Sequence, residues 1–150
     1  MLKPRQRRLL LIALLIIFSS LISACAPTGE VSGDHNINMA HLEDLPAEVQ
    51  SAPVAVREAY QFAAANPDTL QNIPCYCGCG AMGHTSNYAC YISGRNSDGS
   101  LAYDSHALGC SICVDITQDT MRLLKLGKTV AEIRTYIDET YASFGPSNIP

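Results

Sequence analysis

Ile73-Pro74-Cys75-Tyr76-Cys77-Gly78-Cys79-Gly80 is the stretch on which the reading of this chain turns. Three cysteines alternate with other residues, a proline stiffens the entry, and two glycines follow. In an extended chain Cys75 and Cys79 would lie about 13 Å apart, at ~3.3 Å per residue. One ion with metal–sulfur bonds of about 2.3 Å cannot bridge that gap, so sulfurs that act together require the chain to curl. Gly78 and Gly80 are where it can, because glycine tolerates left-handed turns. The segment therefore reads as an irregular loop that wraps three sulfurs toward one point.

The rest of the cysteine set extends this theme. Six of the seven cysteines fall between positions 75 and 113, as Cys75, Cys77, Cys79, Cys90, Cys110 and Cys113, with His84 and His106 among them. A chain of 150 residues can bury a real core and does not need this density of sulfur for stability. The cluster points instead to chemistry. Cys110 and Cys113, three residues apart on a helical first turn, face the same side. A helix N-terminus favours the thiolate, the form that binds metal and attacks disulfides. His106, four residues earlier, can reach the same area. Six sulfurs and two imidazoles make eight soft or borderline ligands, enough for two four-coordinate sites or one shared binuclear cluster. Thiolate-rich sites select Cu(I) or Zn, and Met82 and Met121 would tilt the choice toward copper.

Two other readings stand beside a metal site. An exported protein with an even number of mature cysteines invites three disulfides, although neighbouring C-x-C cysteines rarely meet disulfide geometry and each would need a partner elsewhere. Cys110-x-x-Cys113 also fits a thiol–disulfide redox pair, but the strand-helix setting of a thioredoxin-like domain is missing. No Ser-His-Asp spacing, phosphate-binding glycine loop or H-E-x-x-H occurs. The expectation is a metal-binding protein rather than an enzyme. Tyr76, Tyr88, Tyr91 and Tyr103 read as the hydrophobic wall of the loop; Asp104 and Asp115, which flank His106 and the helix start, read either as partners for histidine or, the commoner case, as helix N-terminal charge.

Helical periodicity flanks the loop. Val49, Ala52, Val56, Ala59, Tyr60 and Ala63 form one apolar face through about Ala65, with a break near Ser51 ahead of Pro53. Asn66-Pro67 ends this helix and starts a further turn through Leu70. Within the loop region Cys90-Tyr91-Ile92 and Leu101-Ala102-Tyr103 suit small strands, with Gly94 to Gly99 as the turn between them. The helical period returns with Cys110, Cys113, Thr117, Met121 and Leu124, and Gly127 is its stop. Thr129-x-x-Glu132 is a capping box that opens a last helix with the face Val130, Ile133, Ile137 and Tyr141, closed by Gly145-Pro146. The fold class is mostly α: about three main helices with an irregular Cys/Gly-rich loop packed against the start of the second-last one.

The N-terminus places the protein. Lys3, Arg5, Arg7 and Arg8 precede the apolar run Leu9 to Phe18 and then Ile22-Ser23-Ala24-Cys25. This is the n-region, h-region and small-residue cleavage site of an export signal over 1–24. The small residue before Cys25 resembles a bacterial lipobox, whose cysteine is acylated. The apolar run is short of the ~20 residues a spanning helix needs. Lipid on Cys25 would hold the protein on the extracytoplasmic face of the cell membrane. Residues 25–44, rich in small and polar types, read as a tether, and 45–150 as one domain. His35, Met39 and His41 within the tether read as chance neighbours. The whole chain carries 10 Lys/Arg against 14 Asp/Glu, net −4. Residues 1–24 hold four of the basic residues and none of the acidic ones, so the mature chain stands at about −8. That charge excludes nucleic acid, which wants a basic stripe, and suits a domain that attracts cations.

The string Ile73-Pro74-Cys75-Tyr76-Cys77-Gly78-Cys79 resembles the signature of the PCYCGC-motif family of bacterial lipoproteins. The resemblance takes in His106, Cys110-x-x-Cys113 and the final helices, roughly residues 45–145, and the lipobox at Cys25 agrees with it. It implies an exported lipoprotein in which Cys75, Cys77 and Cys79 matter, and implies no particular activity.

Overall fold

The computed structural model describes residues 36–149, so the expected export signal, Cys25 and His35 lie outside the described residues. The elements are α1 (Ala47–Gln50), α2 (Val54–Ala65), α3 (Pro67–Leu70), β1 (Ile92–Arg95), β2 (Leu101–Tyr103), α4 (Ser111–Lys125) and α5 (Val130–Tyr141). Three long helices, two single turns of helix and one two-stranded sheet make the fold mostly α, as the periodicity predicts. None of the helices among the described residues is long and apolar enough to cross a membrane.

The break near Ser51 is present, and Pro53 caps α2 from outside the helix. Val49, Ala59, Tyr60 and Ala63 are buried, while Val56 stays half-exposed. Phe62 is fully buried as well, although it lies off the expected stripe. The buried face is wider because α2 packs on α4 and also carries the segment Asn38–Ala40. Ala40 N–H donates to the Gln61 carbonyl at 3.0 Å, and the Asn66 side-chain amide donates to the Asn38 carbonyl at 2.8 Å. The last part of the segment read as a tether is thus fastened to the domain.

Helix α4 lies between α2 and α5. Its buried set, Cys113, Val114, Ile116, Thr117, Thr120, Met121 and Leu123, spans more than one stripe for that reason. Leu124, read as a core residue, is only half-buried. Fully burying each of Phe62, Ile116, Ile133 and Ile137 is worth roughly 1.5–3 kcal/mol, so the helices cohere without help from sulfur. The Lys128 N–H bonds back to the Leu123 carbonyl at 3.0 Å, which ends α4 at Gly127. The capping box at α5 is complete: Thr129 Oγ1 accepts from the Glu132 N–H, and Glu132 Oε2 accepts from the Thr129 N–H at 2.8 Å.

Within the loop region the first strand starts two residues later than its sequence suggests. Cys90 belongs to a tight turn over Tyr88–Cys90, because the Cys90 and Tyr91 N–H groups bond to Asn87 and Tyr88 and are not free for a ladder. Strand β1 runs on through Gly94 and Arg95, pairing antiparallel with β2 (Ile92 with Tyr103, Arg95 with Leu101). The turn shrinks to Asn96–Ser100.

A buried polar network ties this hairpin to α4. The Tyr91 hydroxyl bonds the Cys113 carbonyl at 2.8 Å and Thr117 Oγ1 at 2.7 Å. Asn87 Nδ2 donates to the same carbonyl at 3.2 Å, and Thr117 Oγ1 meets Asn87 Oδ1 at 2.9 Å. Tyr91, Asn87 and Thr117 are fully buried, so each depends on these partners alone. Tyr60, stacked edge-on against Tyr91 at 4.9 Å, donates its hydroxyl to the Asp104 carbonyl at 2.7 Å and fixes the approach to His106.

Two outcomes follow for stability. Tyr91→Phe leaves buried groups short of a partner and should lower unfolding free energy by about 1–3 kcal/mol in a denaturant titration; an unchanged midpoint would contradict the network's role. Glu132 is held down at about 2 by the Thr129 N–H first and then by Lys128. Its contribution is therefore present above the ordinary carboxylate range of about 4.3 and lost as pH falls toward 2. The stability gap between the native protein and Glu132→Gln should be constant above pH ~5 and close on acidification.

Candidate metal centre

The loop that opens with Pro74 curls as the glycines require, but not at both expected positions. Gly78 takes φ +83°, the left-handed region, and the second left-handed residue is Gly83 at +91° rather than Gly80. Gly80 instead faces Asn148, whose Cβ would lie 3.4 Å from a Cβ placed on Gly80. Between the two turns, Cys79–Met82 form one tight helical turn. The result is that the sulfurs of Cys75, Cys77 and Cys79 lie within 4.8 Å of one another.

All eight candidate ligands come together. Cys77, His106, Cys110 and Cys113 form one set with donor atoms mutually within 4.8 Å, and Cys79, His84, Cys90 and His106 form another. Cys75, Cys90 and Cys113 make a third grouping that joins them. Cys75 Sγ is 3.4 Å from Cys77 Sγ and 3.4 Å from Cys113 Sγ; Cys77 to Cys113 is 3.5 Å and Cys79 to Cys90 is 3.6 Å. Cys77 Sγ also stands 3.4 Å from His106 Nε2. A disulfide needs about 2.05 Å, and all six cysteines are free. Thiolates around one ion with bonds of about 2.3 Å stand about 3.8 Å apart. The sulfurs are thus spaced close to the edge of a metal–thiolate tetrahedron, and Cys/His groups here could hold a metal ion.

Each segment is pinned by its surroundings. Cys113 lies in the first turn of α4 and Cys110 is the residue just before it. The Asp104 carboxylate accepts from the His106 backbone N–H at 2.7 Å and stands 3.6 Å from His84 Nε2. His84 Nδ1 is buried with no hydrogen-bond partner among the described residues. The two imidazoles meet edge-to-face at 5.1 Å. The chain end closes the site from the other side: Asn148 Oδ1 accepts from the Cys75 N–H at 2.7 Å, its own N–H donates to the Cys75 carbonyl, and its amide donates to Cys79 Sγ at 3.5 Å. Tyr76, between Cys75 and Cys77, is buried in the core and donates to Asp138 at 2.6 Å. A Cβ on Gly145 would stand 2.8 Å from the Tyr76 carbonyl, so the tail can lie this close only with glycine there.

Charge in the cluster is unevenly shared. Cys75 is held well below the usual thiol range by its hydrogen bond with Cys113 first and with Cys90 second, against the cost of burial. Burial first, and the negative charge of Cys75 next, push Cys77 and Cys79 up. Cys113 is pushed up by its hydrogen bonds to Cys75 and Cys90. Hydrogen bonding with Cys113 lowers Cys90, but its bond to Cys75 and its burial outweigh that and it too is raised. Packed thiols thus carry one charge easily and further charges only with a cation among them.

Some expected contributors are elsewhere. Met121 is buried in α4 eight residues past Cys113, about 12 Å along the helix at 1.5 Å per residue, too far to be a ligand; Met82 is largely exposed. His41 and Met39 lie on the surface. Asn148 and Asn87 position the cluster without any spacing signal in the sequence, whereas Thr117 lies on the expected helical stripe.

Neither a curated protein nor a solved structure matches this chain. A family described as "Protein of unknown function with PCYCGC motif" matches residues 14–148. With that match spanning nearly all of the chain, and the motif's three cysteines at the centre of the cluster, the protein belongs to this family of PCYCGC-motif proteins.

Proposed function

We propose that this protein is a membrane-anchored, extracytoplasmic lipoprotein that binds Cu(I) or Zn through its Cys/His cluster and takes part in metal trafficking. The observation that carries the metal reading is the convergence of eight soft or borderline donors, with all six cysteines of the described residues unbonded and four sulfur pairs 3.4–3.6 Å apart. His84 supports it: one nitrogen faces a carboxylate and the other is buried and unpartnered. Metal-ligating histidines are held in this way, by a carboxylate on the nitrogen that does not bind the ion.

Trafficking, rather than a purely structural ion, is supported by access. Here His84 and Asp104 also line a groove of about 760 Å³ that includes the exposed Met82 and Arg95. An ion passing through this groove meets a thioether, then an imidazole, then the thiolates. The membrane anchor rests on the N-terminal sequence: a basic start, an apolar run and Ala24-Cys25.

Protein isolated gently and anaerobically should carry stoichiometric copper or zinc, lost to a strong chelator. Cys77→Ser should lower that stoichiometry and leave far-UV circular dichroism unchanged, since the core is built from Tyr60, Ile133 and Ile137. Thiol counting under denaturing conditions, before reduction and after chelation, should find free thiols. Finding none would overturn the metal reading, and metal-free protein with rapid dithiol turnover would replace it by a redox pair at Cys110 and Cys113.

The anchor is checked separately. The mature protein should partition into the detergent phase, and mass spectrometry should find Cys25 as an acylated N-terminus. A water-soluble product cut elsewhere would refute the anchor and leave the metal reading intact.

A further inference from the structure

The eight donors are too many for one ion, and the two four-residue sets they form overlap. His106 belongs to both four-residue sets, with Cys77, Cys110 and Cys113 on one side and Cys79, His84 and Cys90 on the other. An imidazole nitrogen offers one lone pair to one ion. His106 Nε2 stands 3.4 Å from Cys77 Sγ, which places it with the first set. The second set is then left with Cys79, Cys90 and His84, one donor short of four.

Cys75 supplies what is missing. Its sulfur is 3.4 Å from both Cys77 and Cys113 of the first set, and it groups within 4.8 Å of Cys79 and of Cys90 of the second. It is fully buried and lies at the junction of the two sets. A thiolate sulfur has more than one lone pair, so it can bind two ions at once. We propose that the cluster is a two-ion centre in which the Cys75 thiolate bridges the metals. This inference rests on the metal-binding reading above. One ion is held by Cys77, Cys113 and His106; Cys110, half-buried and outside the 3.4–3.6 Å sulfur contacts that the other five cysteines make, stands beside it, and the other ion is held by Cys79, Cys90 and His84. Each ion then has three sulfurs and one imidazole nitrogen, with Cys75 counted in both.

Charge balance points the same way. Five ionised thiolates around a single divalent ion leave three negative charges uncompensated in a largely buried site, whereas two divalent ions leave one. Uncompensated buried charge is costly. Cys75 is also the sulfur to which the structure gives the most support: Asn148 pairs with its backbone in both directions, and Cys113 and Cys77 flank it.

The test is an anaerobic titration of the reduced full chain, in detergent, with Co(II) as a paramagnetic substitute for zinc. The native protein should bind two equivalents with the optical signature of tetrahedral cobalt–thiolate. A bridging sulfur couples the two spins, so the EPR intensity per bound cobalt at two equivalents should be several-fold below that of Cys75→Ala at its own saturation. Should the variant fail to fold, the intensity of the native sample before and after release of its cobalt in acid gives the same comparison. Saturation at one equivalent, or two equivalents with undiminished intensity per cobalt, overturns the bridged centre while leaving metal binding in place. No uptake of cobalt, zinc or Cu(I) overturns the metal-binding reading itself.

Discussion

The Cys113 carbonyl, in the first turn of α4, is the point on which the architecture of the site depends. It accepts from Tyr91, Asn87 and Thr117, all fully buried. In a helix interior such a carbonyl would be occupied by its own i+4 N–H alone. Here two donors from outside the helix, Tyr91 and Asn87, lock the turn that carries Cys90 onto the helix that carries Cys113. Two sulfurs separated by 23 positions in the chain thereby join one grouping within 4.8 Å. Because the network is sealed from water, losing a member strands its partners, and the two segments hold their spacing whether or not anything occupies the space between them.

The remaining segments are tied in by the same logic, each through a backbone group. Tyr60 holds the Asp104 carbonyl, and the Asp104 carboxylate holds the His106 N–H. Asn148 holds both backbone groups of Cys75. The ligands themselves make few hydrogen bonds other than to one another, so their side chains remain available. This division suits a site that could hold a metal ion: the scaffold is satisfied by the protein, the sulfurs mostly contact one another, and among the described residues His84 Nδ1 is left without a partner. Helices α2, α4 and α5 supply the cohesion, which frees the cysteines from a stapling role.

What could be read from the sequence follows from interactions that are local or periodic. The capping box at Thr129 and Glu132, the break before Pro53 and the stop at Gly127 each involve residues within four positions, so their chemistry is visible in a short window. The apolar stripes of α4 and α5 are visible for a similar reason. Phe62 was hidden because burial of a second face depends on what packs there, and no period records that. The start of β1 was misjudged at Cys90 because a valine-like, strand-compatible pattern cannot reveal that the local N–H groups are spent in a tight turn.

The sequence by itself determined which residues could bind a metal, that the loop must curl at its glycines, though of Gly78 and Gly80 only Gly78 does so, and that three helices surround a core. It did so because thiol and imidazole chemistry, glycine conformation and the 3.6-residue period belong to the residues themselves. Only the tertiary structure decided that the Cys75 sulfur lies 3.4 Å from both Cys77 and Cys113, that Met121 lies too far away, and that Asn148 packs on the Cys75 backbone. Those facts are distances between segments far apart in the chain, fixed by how buried hydrogen bonds and packed helices bring them together, and no local pattern encodes them.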